Sequence, residues 1–307
     1  MLPFLFQTIQ RDSVISFPGL GNFSLNPPSY FTVFGRNIYF YGVLIAIGFL
    51  FAMLFCSRLS RRFGIDSDDF YDLLLWLIPL SIVGARLYYV LFRLDEYLQE
   101  PLRILAVREG GLAIYGGIIA GVITICLVCR RKKIPIPAML DLAIFGLLPG
   151  QILGRWGNFL NREAFGAETD LFCRMGLSAP DGGTIFVHPT FLYESLWNLI
   201  AFTALLILLL RNKRKYDGQC ALLYFFWYGL GRAWIEGLRT DSLYIPGSNI
   251  RVSQLLSILL ALLSLALLLR QSRRPHPEEA LFVNRAKEQD TQTEDTQTPK
   301  ENNEGGL

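Results

Sequence analysis

The sequence predicts an all-α polytopic membrane protein: about seven transmembrane helices carrying a small extracytoplasmic head and arm. Three observations lead there. Of the 307 residues, 52% are hydrophobic, and the mean hydropathy is positive. Apolar runs long enough to cross about 30 Å of hydrocarbon, which takes roughly 20 residues, recur along the chain. Basic residues gather at alternate ends of those runs.

Residues 1–37 hold only Arg11 and Arg36 as basic groups and lack a short basic segment ahead of an apolar core, so they do not read as a cleaved leader. Pro18, Pro27 and Pro28 point to an irregular or surface-lying segment, extracytoplasmic or interfacial. The body, 38–274, contains spans at 38–57, 71–92, 113–130, 138–155, 189–210, 219–238 and 251–270. Residues 93–112 form an arm, and 156–188, with Glu163, Glu168, Asp170, Asp181, Gly182 and Gly183, form a loop-rich head. From Pro275 onward the chain has eight acids against three bases, with Thr-Gln-Thr repeated around Glu294-Asp295. Such a stretch buries too little apolar surface to order itself, which predicts a disordered acidic cytoplasmic tail over 275–307.

Orientation follows from charge. Arg58, Arg61 and Arg62, the run Arg130–Lys133, the group Arg211 to Lys215 and the trio Arg270, Arg273 and Arg274 fall on one side if spans alternate. Dense juxtamembrane clusters of this kind mark the cytoplasmic face, so the N-terminus is outside and the C-terminus inside. Gly146, Gly150 and Gly154 in the fourth span, and Gly117 and Gly121 in the third, have the spacing that lets helices approach closely.

Polar groups then collect at the outer ends. Ionisable residues at depth cost roughly 2.5–3.5 kcal/mol each at a helix centre, so they persist where they are used. Gly154-Arg155-Trp156-Gly157-Asn158-Phe159-Leu160-Asn161-Arg162-Glu163 ends the fourth span, and Glu109-Gly110-Gly111-Leu112-Ala113-Ile114-Tyr115 opens the third. Arg155 and Asn158 share a helix face, and a guanidinium fork suits a pair of phosphate oxygens. Anion binding is preferred over the bland readings, an Arg155 that snorkels to the interface or pairs with Glu163. Tyr228, Arg232 and Glu236, at i, i+4 and i+8, make one stripe about 80° wide on the sixth span. An intrahelical Arg232–Glu236 pair, worth about 0.3–0.5 kcal/mol, cannot offset desolvation alone, so a further partner is implied. Tyr41, His188 and Glu194 lie near the outer ends of their spans; Arg86 reads equally as structural or binding, and Arg239 as anchor or ligand group.

Other chemistries lack their signatures. Cys126 and Cys129 sit in an apolar span, where a Cys-x-x-Cys pair reads as small buried hydrophobes; Cys173 is a free thiol in a polar loop. There are two histidines, His188 and His276; the second falls in the tail and is dismissed, and one histidine offers no metal site. No His-Glu-x-x-His, Gly-x-Ser-x-Gly or phosphate-loop pattern is present, and no cofactor is expected.

At this point the chain resembles the bacterial phosphatidylglycerol–prolipoprotein diacylglyceryl transferase family. The likeness rests on Asn26-Pro27, Phe40-Tyr41-Gly42, the Gly-Gly-Leu-Ala-Ile-Tyr-Gly-Gly run at 110–117, the ten residues 154–163, His188-Pro189-Thr190-Phe191-Leu192-Tyr193-Glu194 and the Tyr228/Arg232/Glu236 stripe. The resemblance implies transfer of a diacylglyceryl group from phosphatidylglycerol to the lipobox cysteine of a prolipoprotein signal peptide, at the outer face of the bacterial cytoplasmic membrane, with no nucleic-acid partner. It implies that Arg155 contacts phosphatidylglycerol and that Asn158, Glu163, Tyr41, Tyr228, Arg232 and Glu236 are site residues. Many family members have a histidine where this chain has Tyr115, and a tyrosine, with an ordinary pKa near 10, is a poor base at neutral pH. His188 and Glu236 are the alternatives, as is no base at all, since a thiol of pKa about 8.5 is already partly ionised. The rival readings are a lipid transporter or scramblase, whose usual inverted repeats and midplane site are not visible, and another phospholipid-using membrane transferase.

Overall fold

The computed structural model describes residues 13–107, 110–178, 182–245 and 247–286. Arg11, Glu109, Asp181 and the Thr-Gln-Thr part of the tail, all named above, lie outside the described residues. Each expected span coincides with a helix: α1 Phe40–Leu59, α2 Ser67–Leu91, α4 Ile114–Lys132, α5 Ile136–Asn161, α6 Thr190–Leu210, α7 Gln219–Leu238 and α8 Val252–Ser272. Six are long and apolar enough to cross a membrane; α7 has the length, but its Tyr, Trp, Arg and Glu residues dilute its apolar character. The chain is a multi-pass membrane protein, and it divides into two compact units.

The first unit is Met1–Cys56, Ala143–Arg214 and Gln219–Pro275. Its head departs from the loop-rich expectation, and the described part of the N-terminal segment contributes strands to it. Strands β1 Ile15–Phe17, β2 Phe23–Leu25, β5 Met175–Ser178 and β6 Thr184–Val187 form a four-stranded sheet ordered β2-β1-β5-β6, antiparallel throughout. The sheet closes over a core of Ile15, Phe17, Phe159, Met175, Leu177, Ile185, Val187 and Phe191. Three- and four-residue strands are too short to show a period of two, and β1 finds its partner far along the chain. A separate hairpin, β3 Tyr30–Val33 and β4 Arg36–Tyr39, leads into α1.

Arg162 ties the sheet's N-terminal part to the end of α5. In left-handed backbone (φ 52°) just past the helix, it donates from Nε to Ser13 O (3.0 Å), from Nη1 to Leu160 O and from Nη2 to Asn26 Oδ1 and Pro27 O (2.9 and 2.8 Å). Helices α6 and α7 are locked by a reciprocal pair. Trp197 Nε1 donates to Trp227 O and Trp227 Nε1 to Trp197 O, each at 2.9 Å, with the rings stacked 4.3 Å apart. Gly231 admits the Trp197 indole, since a Cβ there would run into its ring. Of the fourth-span glycines, Gly146 faces Ala52 and Cys56 of α1, and the Cα of Gly150 gives room to Gly48.

The second unit is Ser57–Leu142, Lys215–Gly218 and His276–Leu307. Helices α2 and α4 approach backbone to backbone, because a Cβ on Gly84 or Gly116 would strike the other's carbonyl. Lys132 closes the pair against Asp69 and Asp72 (2.8 and 2.5 Å). Arg86, 6% exposed, is structural: it donates to the carbonyls of Ile104, Gly110, Gly111 and Arg103 (2.9, 2.8, 2.9 and 2.5 Å) and lies over the Tyr97 ring. It thereby ties down the arm, which holds a short helix α3, Leu94–Gln99, and a 3-10 turn, Pro101–Leu105. Asp141, fully buried, accepts from the Gly218 N–H at 2.8 Å.

The expected tail disorder does not hold for its first residues. His276, dismissed above, stacks on Tyr216 at 4.5 Å, the Phe282 N–H donates to Asp217 Oδ2 (2.9 Å), and Arg285 pairs with the same carboxylate (3.7 Å). A composition average over a 33-residue tail with eight acids hides this short segment with a histidine, a phenylalanine and a cation.

Arg86→Met is expected to leave four carbonyls of the arm without their donor. It should cost at least about 3 kcal/mol, given 1–3 kcal/mol for each buried acceptor left unpaired. The change should be seen as a lower unfolding temperature in detergent and as faster protease cutting within residues 93–107.

Candidate active site

The first unit gathers charge around one carboxylate. Glu194, in the first turns of α6, is 5% exposed. Its Oε2 lies 2.7 Å from Arg155 Nη2, and its Oε1 lies 3.0 Å from Arg232 Nη1 and 3.5 Å from Arg239 Nη1. Three helices therefore meet through a single side chain: α5 brings Arg155, α6 brings Glu194 and α7 brings Arg232. Arg232 also reaches Glu236 Oε2 with Nη2 (2.6 Å), a close charge contact whose angle is not that of a hydrogen bond. Arg239 is held by both oxygens of Asp241 (2.9 and 2.7 Å). Of these cations, only Arg155 lacks an acid of its own.

The α5 helix runs through Asn161, so Arg155, Asn158 and Asn161 lie on its last turns. Arg155 Nη1 donates to Asn158 Oδ1 (3.2 Å), Asn158 Nδ2 donates to Glu163 Oε1 (3.0 Å), and Asn161 Nδ2 donates to the same oxygen (3.1 Å). The structure thus corrects the simple alternative: Arg155 pairs with Glu194, and Glu163 serves the two asparagines. Asn161 Oδ1 is buried and has no hydrogen-bond partner. Tyr41, in the first turn of α1, packs on Gly157, where a Cβ would collide with its ring. Tyr228 stacks on Tyr224 (5.6 Å), which receives a hydrogen bond from Gln151 (2.8 Å). The carboxyl end of α7 is closed by Arg251 Nη1 and Ser242 Oγ, which both donate to the Glu236 carbonyl.

His188 precedes α6. Burial holds its pKa below the ordinary histidine value, so the ring is neutral at neutral pH. Its Nδ1 is 3.4 Å from Tyr193 OH, which also lies 3.1 Å from Cys173 Sγ. Burial works against the charge of Arg239, but Asp241, Glu194 and Glu236 outweigh it and raise its pKa. Burial likewise opposes the Asp241 carboxylate, and Arg239 prevails, holding its pKa low. Tyr115, half-exposed at the start of α4, and Arg86 belong to the other unit. Among the described residues no cluster of His, Cys, Asp or Glu could hold a metal.

Sequence reasoning named Glu194 only as a neighbour and missed it as the hub. The signal was there: it is the one acid in a 21-residue apolar helix, and an acid at that depth demands a cation. Asp241, in a loop, carried no such signal.

The arrangement can grip an anion. Two guanidiniums from different helices converge, their forks partly spent on carboxylates, and a phosphate group offers the same pair of oxygens that Glu194 supplies.

A family described as prolipoprotein diacylglyceryl transferase matches residues 28–270. The phosphatidylglycerol–prolipoprotein diacylglyceryl transferase of Finegoldia magna is 42% identical over 244 residues, covering 80% of this chain and 95% of that one. The enzyme of that name from Enterococcus faecalis is 41% identical over 268 residues, 84% of this chain and 94% of its own. That from Halalkalibacterium halodurans is 41% identical over 232 residues, 73% and 79% of the two chains.

Glu194→Ala should leave three guanidiniums facing one another and cost about 3–5 kcal/mol of stability, the usual result of breaking a buried pair from one side. Thermal unfolding in detergent reads it. The depressed pKa of His188 has a sign of its own: the unfolded chain takes up the proton first, so stability is lost as pH falls below the ordinary histidine value. His188→Gln should remove that part of the slope in a pH series of unfolding temperatures.

Proposed function

The chain belongs to the prolipoprotein diacylglyceryl transferase family, and from that premise we propose that it transfers the diacylglyceryl group of phosphatidylglycerol to the lipobox cysteine thiol of a prolipoprotein signal peptide. A thioether forms and glycerol phosphate leaves. One observation carries the reading: Arg155 and Arg232, on separate helices, reach the same buried carboxylate at 2.7 and 3.0 Å, so their guanidiniums are already held together.

In this mechanism the thiolate sulfur attacks the glyceryl carbon that bears the phosphate ester. The C–S bond forms as the C–O bond breaks, and the electron pair goes to the phosphate oxygen. Arg155 and Arg232 bind the phosphate and stabilise the charge that grows on its departing oxygen, a preorganised use of cations that needs no change in their protonation. Asn158 orients Arg155, and Glu163 in turn holds Asn158 and Asn161. Glu236 keeps Arg232 in place. Tyr41 and Tyr228 line the approach as site residues. Tyr115 is not assigned the base. Of the two alternatives, Glu236 is engaged by Arg232, whereas the neutral ring of His188 can accept a proton, which supports His188. The thiol's own acidity lightens the demand on it.

The same reading places the work at the outer face of the bacterial cytoplasmic membrane, with the N-terminus outside and the C-terminus in the cytoplasm, on the strength of the basic clusters after α1, α4, α6 and α8. Both substrates are presented there, the lipid in its leaflet and the precursor after export.

The assay is direct. Purified protein, phosphatidylglycerol labelled in its acyl chains and a lipobox peptide should yield label on the peptide cysteine; translocation of lipid without product would favour a transporter. Arg155→Lys and Arg232→Lys, which keep the charge but lose the fork, should each lower kcat/KM by about 100-fold or more, the loss typical when a transition-state donor is removed. Wild-type rates in either correctly inserted variant would refute the clamp.

A further inference from the structure

Outside its membrane-length helices, the first unit leaves Tyr30, Phe31, Val33, Phe34, Ile38 and Tyr39 of hairpin β3–β4 exposed. All eight strand residues are exposed. Cross-strand pairing sets Tyr30 opposite Tyr39 and Thr32 opposite Asn37, which puts these four on one face. Phe31 opposite Ile38 and Val33 opposite Arg36 fall on the other. One face is therefore tyrosine and amide, with Thr32 Oγ1 donating to Asn37 Oδ1 at 3.0 Å and the two tyrosine rings 5.7 Å apart. The other is apolar, with a lone arginine at the turn.

The turn itself adds the second observation. Its two central residues, Phe34 and Gly35, both have left-handed backbone (φ 48° and 74°), the geometry of a tight hairpin turn that suits asparagine and glycine. Phenylalanine is a poor choice there on conformational grounds, and its ring is fully exposed. A strained, uncovered aromatic at a loop tip calls for a surface to meet it.

What it meets is set by where the hairpin is attached. Phe40, the first residue of α1, donates its N–H to Ser29 O (3.0 Å) and its ring packs on Phe31 at 5.2 Å, so the apolar hairpin face runs on into the membrane helix. Along α1, Ile45, Ile47, Leu50, Phe51 and Leu54 are exposed as well, the surface of a span that faces lipid. We propose that hairpin β3–β4 is an interfacial anchor, lying in the headgroup layer of the leaflet where α1 begins. Phe31, Val33, Ile38 and the Phe34 ring enter the upper acyl region; Tyr30 and Tyr39 take the amphipathic position that tyrosines favour at membrane interfaces, and Arg36 meets lipid phosphates. The occupant of this surface is the bilayer itself, independent of the reaction proposed above.

The test uses full-length protein in vesicles containing phosphatidylglycerol, with the Phe34→Trp variant compared against wild type, which supplies the background of its five native tryptophans. The fluorescence added by the variant should be blue-shifted, lose most of its intensity when the lipids carry bromine near the top of the acyl chains, and resist aqueous iodide. Added fluorescence that bromolipid leaves untouched and iodide quenches would overturn the proposal. So would one that becomes shielded only when a precursor peptide is supplied, which would make the hairpin a protein-docking strand pair.

Discussion

Putting several guanidiniums side by side where little water reaches them is the constraint on which the first unit depends. Two like charges 4 Å apart repel by about 4 kcal/mol at the effective dielectric typical near protein surfaces, and more where water is scarcer. Glu194 resolves this by standing between Arg155, Arg232 and Arg239, with Glu236 and Asp241 as outer acids. Formal charge balances, three cations to three carboxylates, before any lipid arrives. The positions of α5, α6 and α7 are thereby coupled electrostatically, and the Trp197–Trp227 pair and the glycine contacts only have to keep what the charges demand.

The protein uses arginine in two ways, and the partners tell them apart. Arg86 and Arg162 give their donors chiefly to backbone carbonyls of loops, which cannot move away without unmaking the loop. Arg155 and Arg232 give theirs to carboxylates, anions that another anion can replace. The first kind fastens an arm and a strand; the second is suited to binding. This distinction separates two residues of very similar local sequence character: Arg155 and Arg162 are seven positions apart in one stretch, yet serve opposite ends.

How much of this was legible in the sequence depends on range. The spans were readable because a bilayer imposes a length of about 20 apolar residues on every one. The Tyr228/Arg232/Glu236 stripe was readable because helical spacing is fixed, and the incompleteness of an Arg232–Glu236 pair pointed to a further partner, which the structure supplies as Glu194. The sheet was not readable. Its strands have three or four residues, and their pairing joins segments that are remote in sequence. The roles of Arg86 and Arg162 were hidden for a related reason: carbonyl partners exist at every residue and leave no mark on composition. His276 was misread because an average over the acidic tail conceals a short stretch that binds Tyr216 and Asp217.

The head has a further consequence, for biogenesis. Ser13 and Arg162, joined by a hydrogen bond, are 149 residues apart, and β1 must pair with a strand that begins at Met175. At a translation rate of roughly 5–20 residues per second, β1 waits on the order of ten seconds or more for its partner to be made. Four hydrophobic helices emerge in that interval, so the first strand remains an open edge during insertion. Closure of the sheet is therefore a late step, and a chain that stops short of β5 would expose a sticky, half-built domain to whatever quality-control machinery patrols that surface.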